Sequence, residues 1–594
     1  MPVYKAPVRD MQFVFFELFD GAGLQTLPGF EEVDEETVVA ILEEAGRFCE
    51  QELLPLNHSG DEEACRFENG KVTTPTGFKA AYRSFIEAGW NSIALDAEYG
   101  GQGLPKSLHM MVDEMLNATN LSFGLYPGLT NGAWAALSSY AGDQLKAVYF
   151  PKMAEGTWSG TMCLTEPQSG SDLALVRTKA LADADGTYLI TGSKIFITGG
   201  DHDLTENIVH LVLARTPDAP PGVRGISLFL VPKILVNDDG GLGDANAVTC
   251  GSIEHKMGIK GSATCTLNFD GARGWLVGEP NQGMRAMFKM MNTERLAVGI
   301  QGIGIGESAY QNAVVYARER LQGRAPGGPQ KPESNADPLT VHPDVRRMLL
   351  SMRAYAEGAR ALSIWIAQEL DHANRNPDPE RRLQADRFIA LMTPVAKAFF
   401  TDLGSEVANL GVQVFGGHGY IREHGMEQLV RDARVAQLYE GTNGIQAMDL
   451  TGRKLFMEEG KMIRSFLDPV EAYITEKESN DLLSEFIEPL RQAVSRLDRA
   501  TRLILRTGPE DPAVVGAAAT PYLRLLGLTA LAYLWARMAE LGLNSKSSDE
   551  ALFYQAKVAT ARFFMRQLLP QSEGLFQAID AGASSIMDFD DAAW

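Results

Sequence analysis

The chain has 594 residues and a formal net charge of −22, with a pI near 5.0. At ~150 residues per domain this length suits roughly four domains or layers around a large buried core. The acidic balance argues against nucleic acid and an anionic membrane surface as partners, because each needs a basic face.

Cys49, Cys65, Cys163, Cys250 and Cys265 are odd in number and show no C-x-x-C spacing. Neither a disulfide framework nor a zinc site is indicated, and a reducing cytoplasm is expected. Residues 1–34 form an N-terminal extension without the basic region and apolar run of a targeting signal. From Glu35 to Phe150 the apolar spacing is helical, as in Val38, Val39, Ile41 and Leu42, and it breaks at the turn-rich Tyr99–Pro105. This predicts a helical domain over 35–159. The pattern then shortens into β-rich runs at Tyr188–Ile190, Ile195–Thr198, Ile208–Ala214, Ile226–Val231, Thr264–Phe269 and Trp275–Val277, predicting an antiparallel β domain over 160–280. Helical periodicity returns over 281–460, interrupted by a Pro- and Gly-rich exposed loop at Gly323–Asp337. Residues 461–594 read as an appended helical domain, whose apolar stretch Leu525–Trp535 is too short to span a bilayer. The fold class is α+β.

The segment Leu438–Gln446 carries an acid where a helix prefers a cation. Met426, Leu429, Val430, Ala433 and Ala436 form a helical stripe that Glu440 extends, so the helix is expected to end at Glu440 with its carboxylate inward. The negative end of the helix dipole and burial both disfavour its charge, which suits a general base, the alternative being a partly exposed Glu that frays into the Gly441–Gly444 turn. Glu294 shares a stripe with Met287, Met291 and Val298, and it too faces inward. Gly302-Ile303-Gly304-Ile305-Gly306 resembles a dinucleotide fingerprint but lies within a helical pattern without a βαβ unit, so nicotinamide binding is rejected. His418 and His424 lack companion ligands, and no metal site is expected.

The order of helices, β domain and helices, together with four motifs, resembles the acyl-CoA dehydrogenase family. Thr165-Glu166-Pro167-Gln168-Ser169-Gly170-Ser171-Asp172 resembles its TEPxxGSD loop, where Gly and Ser allow close backbone approach to a flavin. The resemblance implies that Thr165 bonds the flavin ring and Ser171 the pantetheine arm. Gly192–Gly200 resembles the G-x-K-x-[WF]-I-T strand, implying that Phe196 packs on the flavin and Thr198 bonds near its reactive nitrogen. Many members carry Trp at the position of Phe196, whose alternative reading is a core residue. Gln413–Tyr420 resembles Q-x-[FLY]-G-G-x-G, implying that Gln413, Gly416 and Gly417 reach the ADP portion of FAD across a subunit interface. Arg320 resembles the arginine that meets the flavin pyrophosphate of a neighbouring subunit. The K-x-F-G usual after it is replaced by Leu321-Gln322-Gly323, and Gly444 stands where many relatives have Gln. Arg295 resembles the arginine that holds the CoA moiety, its alternative being a surface helix charge, and Thr442 would assist beside the base.

The family implies FAD, an acyl-CoA substrate, an electron-transferring flavoprotein as acceptor and a homo-oligomer, dimer or tetramer. It implies that Glu440 removes the α proton while the β hydrogen leaves as hydride. A glutamate matching Glu294 is the base in branched-chain and some long-chain relatives, which usually lack the acid in Y-E-G-T. This chain retains Glu440, and Glu440 is therefore taken as the base with Glu294 as alternate. Pro2–Met11, the loop after Arg320 and the appended helices resemble larger bacterial members that oxidise 3-methylmercaptopropionyl-CoA, so a small thioester is expected. The rivals are an acyl-CoA oxidase, a membrane-attached very-long-chain enzyme without the basic amphipathic face that attachment needs, and a DNA-associated relative. The last is disfavoured by 12 Lys and Arg against 17 Asp and Glu over residues 470–594.

Overall fold

The protein is described by a computed structural model covering residues 2–237 and 239–594. Its contacts divide it into two units, one made of Met1–Gly46, Lys106–Glu114 and Val298–Trp594, the other of Arg47–Pro105 and Met115–Ala297.

The helices before the β domain are α1 (Val8–Gln12), α2 (Glu35–Phe48), α3 (Leu54–Glu63), α4 (Phe78–Glu87), α5 (Lys106–Tyr140) and α6 (Asp143–Ala154). A short hairpin, β1 (Arg66–Glu68) and β2 (Lys71–Thr73), interrupts them. The later helices are α7 (Gly283–Glu319), α8 (Pro343–Arg375), α9 (Pro379–Phe415), α10 (Met426–Ala436) and α11 (Asn443–Asp449). The appended domain adds α12 (Arg464–Lys477), α13 (Ser484–Thr507), α14 (Pro512–Asn544), α15 (Ala551–Phe563), α16 (Gln571–Asp580) and α17 (Ser584–Met587).

In the second unit the strands are β3 (Trp158–Cys163), β4 (Lys179–Ala182), β5 (Tyr188–Thr198), β6 (Asn207–Ala214), β7 (Ser227–Pro232), β8 (Ile234–Val236), β9 (Leu242–Ala245), β10 (Val248–Ile253) and β11 (Thr264–Val277). The main sheet runs β3-β6-β7-β11-β5-β4, with β10 also on β11 and β8 paired with β9 apart from it. Its pairs are antiparallel except β3 with β6, which is parallel. Every residue of β6 and β7 is buried. Their alternation explains why: Val209, Leu211, Leu213, Leu228 and Leu230 enter one apolar cluster with Trp134, Phe150 and Trp158, while Val212, Phe229 and Val231 enter another with Ile190 and Phe269.

His210 and His202 are buried at this sheet, bonded through Nδ1 to Thr161 Oγ1 at 2.7 Å and through Nε2 to Ser159 Oγ at 3.1 Å respectively. Burial, reinforced by Lys233, pushes both down to about 3. In the unfolded chain each takes up a proton near pH 6.5, so protonation favours unfolding. Their contribution is complete above about 6.5 and is lost as pH falls toward 3, at up to ~1.4 kcal/mol per pH unit for each. A His202→Gln/His210→Gln variant should flatten the fall of the urea midpoint between pH 6.5 and 4.5. An unchanged slope would show that these rings do not drive acid sensitivity.

In the first unit, the glycine run in α7 serves helix packing. A Cβ on Gly299 or Gly302 would lie 2.8 Å from Ala396 O or 2.4 Å from Phe400 O, so their bareness lets α7 approach the α9 backbone. α14 is long and apolar enough by length and composition to cross a membrane, which revises the reading of its apolar stretch as too short. In the fold it is the central helix of the appended domain, with Leu525, Leu526, Leu528, Leu531, Leu534 and Trp535 wholly buried. The Trp535 indole donates to Ala354 O of α8 at 3.1 Å.

Candidate active site

The TEP segment follows β3 and folds back on itself. Glu166 and Ser169 exchange both backbone hydrogen bonds, 2.8 and 2.9 Å, closing a tight turn. The Glu166 carboxylate is buried and accepts from Arg177 N, Thr178 N, Thr178 Oγ1 and Gln168 Nε2, while pairing at 2.8 Å with Lys194 Nζ. Burial opposes this charge, but the Lys194 ammonium and the donor set hold the carboxyl at about 2. Lys194 itself is wholly buried and also donates to Leu164 O at 3.0 Å. The loop is thus fastened to β5 by an internal ion pair. Both residues stand within the motif segments, but nothing in those letters marks their pairing. Ile195 N donates to Thr165 O at 2.9 Å, bringing Thr165 beside Phe196 and Thr198, and Ser171 lies exposed on the same loop.

Phe196 is not core. Lys194 opposes Leu267 and Ile197 opposes Cys265, so Ile195 and Phe196 together face Thr266, which is a bulge of one extra residue. Phe196 takes φ 59°, a left-handed conformation costing about 1–2 kcal/mol outside glycine, and is 59% exposed. A strained bulge that turns an aromatic ring outward from a rigid strand makes a stacking platform.

Glu294 and Arg295 lie in α7 within the same unit, both buried. A Cβ on Gly132 would sit 2.1 Å from Glu294 Oε1, so Gly132 of α5 leaves room for the carboxylate. Arg295 is 6% exposed and donates from Nη1 to Asn292 Oδ1 at 3.2 Å, which overturns the reading of a surface helix charge.

In the other unit the stripe is buried at Met426, Leu429, Ala433 and Ala436, but α10 ends at Ala436 and does not reach Glu440. The reason is backbone geometry: Glu440 and Gly441 have φ 57° and 80°, incompatible with a continuing helix. Four residues past the helix, the half-buried Glu440 lies beyond the last turn in which the dipole acts. Phe196 and Glu440 are therefore two of the few non-glycine residues with positive φ, at two of the positions nominated for chemistry. Thr442 caps α11, its Oγ1 accepting from Ile445 N at 3.3 Å.

Gln413 is exposed on the last turn of α9, and open space lies above Gly416 and Gly417. Tyr316 of α7 stacks on Phe415 at 4.1 Å and meets His418 Nδ1 at 2.7 Å. Arg320 follows one turn later, exposed, its N–H on Tyr316 O. Arg320 and the Gln413–Gly417 segment therefore share one end of α7 and α9. Gln301, which accepts the Tyr439 hydroxyl, lies fifteen residues before Tyr316, a rise of ~22 Å along α7. One chain does not bring Glu440 and Thr442 together with Arg320, Gln413, Gly416 and Gly417.

The loop predicted as exposed at Gly323–Asp337 is organised by its own last residue. Asp337 is wholly buried and accepts from the N–H groups of Ala325, Gln330 and Lys331 at 3.0, 3.0 and 2.8 Å, which hold its carboxyl at about 2. Leu339 N then donates to Arg320 O at 3.0 Å, closing the loop on Arg320.

A helix pair crossing through glycines, a sheet that turns a strained aromatic outward and a strained acidic turn are the parts of a flavin-dependent acyl thioester dehydrogenase. Family profiles agree: "Acyl-CoA dehydrogenase, N-terminal domain" matches 35–157, the middle domain 161–272, the C-terminal domain 281–455, and "Acetyl-CoA dehydrogenase C-terminal like" 461–590. The chain belongs to the acyl-CoA dehydrogenase family and is an FAD-dependent oxidoreductase of acyl-CoA thioesters. It is 44% identical over 592 residues to 3-methylmercaptopropionyl-CoA dehydrogenase of Ruegeria pomeroyi, covering 98% of this chain and 99% of that one. It is 34% identical over 616 residues to a butyryl-CoA dehydrogenase of Syntrophomonas wolfei, covering 100% and 99%. An acyl-CoA dehydrogenase of Bacillus anthracis solved with FAD shares the fold, with a TM-score of 0.73 at 21% identity over 95% of this chain and 90% of that one.

Proposed function

We propose that the protein dehydrogenates a small acyl-CoA thioester between Cα and Cβ, converting 3-methylmercaptopropionyl-CoA to 3-methylthioacryloyl-CoA. The observation that carries this reading is the 44% identity over nearly the whole of both chains to the Ruegeria enzyme of that name. The strained, exposed Phe196 and the open space over Gly416 and Gly417 fit a large planar cofactor with a diphosphate tail. FAD, when bound, supplies the acceptor for the β hydrogen as hydride.

Glu440 takes the α proton, and its backbone N–H donates to the thioester oxygen as enolate charge develops. Thr165, Phe196 and Thr198 hold the flavin ring, while Ser171 and Arg295 hold the CoA arm. The ~22 Å along α7 between Gln301, which meets Tyr439, and Tyr316, which meets His418 one turn before Arg320, supports a cross-subunit arrangement. In it Arg320, Gln413, Gly416 and Gly417 serve the cofactor of a second copy in a homo-oligomer. Electrons leave to an electron-transferring flavoprotein. Free thiols at all five cysteines support a reducing cytoplasm.

Anaerobic flavin bleaching over a panel of thioesters tests the proposal. 3-Methylmercaptopropionyl-CoA and butyryl-CoA should exceed palmitoyl-CoA in kcat/KM. An order favouring palmitoyl-CoA would overturn the small-substrate assignment.

A further inference from the structure

We infer that Asn443 and Gln446 are positioning residues that clamp Glu440 in its left-handed turn and thereby aim its carboxylate. The inference rests on the reading of Glu440 as the base. A residue other than glycine at φ 57° has no intrinsic reason to stay there, and relaxation to negative φ would swing Cβ and the carboxylate away. Something must over-determine the turn.

The hydrogen bonds show what does. The turn is stapled at both ends to one oxygen, because Gln437 Nε2 and Asn443 Nδ2 each donate to Asp402 Oδ1 of α9 at 2.7 Å. Asn443 N also donates to Gln437 O at 3.1 Å, closing the loop on itself. The Asn443 amide is further engaged on α9, donating to Ala398 O at 3.1 Å, with Thr401 Oγ1 3.0 Å from the same nitrogen, and accepting from buried Lys397 Nζ at 2.8 Å. The amide accepts from that ammonium and donates to that carboxylate at once, which neither a carboxylate nor an alkyl side chain can do. In the middle of the turn, fully buried Gln446 donates from Nε2 to Glu440 O at 3.2 Å. Gly441 makes this approach possible, since a Cβ there would lie 2.6 Å from Gln446 Nε2. The neighbouring Tyr439 hydroxyl donates to Gln301 Oε1 of α7. Both flanks and the carbonyl of Glu440 are thus fixed by groups on α7, α9 and α11.

The test is a double-mutant cycle on the FAD-loaded full chain, reading the limiting rate of flavin reduction by butyryl-CoA. Asn443→Ala should slow reduction by ~10- to 100-fold, the scale of an ångström of misplacement. The pH midpoint of that rate should move, while flavin content and substrate affinity hold. In a Glu440→Gln background the same substitution should slow reduction less than about threefold more, because a group that acts through the base has nothing left to aim. Gln446→Leu carries the same expectations if Asn443→Ala does not fold. Equal fractional losses in both backgrounds, or a native rate and pH midpoint in Asn443→Ala while Glu440→Gln is slow, would overturn the clamp and leave the base assignment standing. A native rate in Glu440→Gln would overturn both.

Discussion

Glu440→Gln is expected to leave FAD bound and to slow flavin reduction by at least ~10²-fold, while Glu294→Gln slows it by less than ~10-fold. Glutamine keeps the size of the side chain and most of its hydrogen-bonding reach but cannot accept the α proton. The two acids differ in setting. Glu440 is half-buried in a strained turn, where a carboxylate can meet a substrate. Glu294 is 3% exposed and seated over Gly132, a site that an isosteric amide can fill. Stopped-flow reduction of both variants by the same thioester decides between them. A slow Glu294→Gln beside a native-like Glu440→Gln would transfer the base to α7 and make the Glu440 turn a structural element.

Periodicity located most helices because burial imposes it, as in the stripe Met287, Met291, Glu294 and Val298 of α7. It failed where an element departs from its period. β5 and β11 read as two runs each, since the polar Thr191–Lys194 in β5 and the bulge at Gly271 in β11 break the apolar pattern along strands that are continuous in the sheet. Glu440 continued a helical stripe by count alone, and only the φ values of Glu440 and Gly441 reveal that the helix has already ended. Motif letters nominated Phe196 and Thr165, but the ion pair of Glu166 with Lys194 joins residues 28 apart and has no local pattern. Asp337 was unreadable for a related reason: an acid in a Pro- and Gly-rich stretch looks solvated until the N–H groups converging on it are seen.

The same blindness to distant partners hid the polar centre of the first unit, where the largest loss of stability is expected. Arg360 of α8 is wholly buried and bonds Asp10 of α1 at 2.6 Å, Glu114 of α5 at 2.5 Å and Glu307 of α7 at 2.8 Å. Asp10 also pairs with buried Lys557 of α15, which bonds Glu357 of α8 at 2.8 Å. The N-terminal extension and the appended domain are thereby tied to the same helix through opposite charges. Arg360→Met keeps apolar bulk but takes the guanidinium from three buried carboxylates, of which Asp10 keeps Lys557, and losing one partner of a buried ion pair costs about 3–5 kcal/mol. Arg360→Lys should recover only part of it, because an ammonium cannot reproduce the planar fork that serves three acids at once. The loss should also depend on pH in a definite direction. Burial already lifts Glu114 to about 7 against the pull of Arg360. A carboxyl raised in the folded state contributes stability that is present below its unfolded value and lost as pH rises through the folded one. Without the guanidinium the deficit should therefore grow from pH 5 to pH 8. Urea unfolding followed at Trp535 and by far-UV circular dichroism measures it. A midpoint within error of native at pH 8, or a deficit that shrinks as pH rises, would show that this charge centre is not what holds α1, α8 and α15 together.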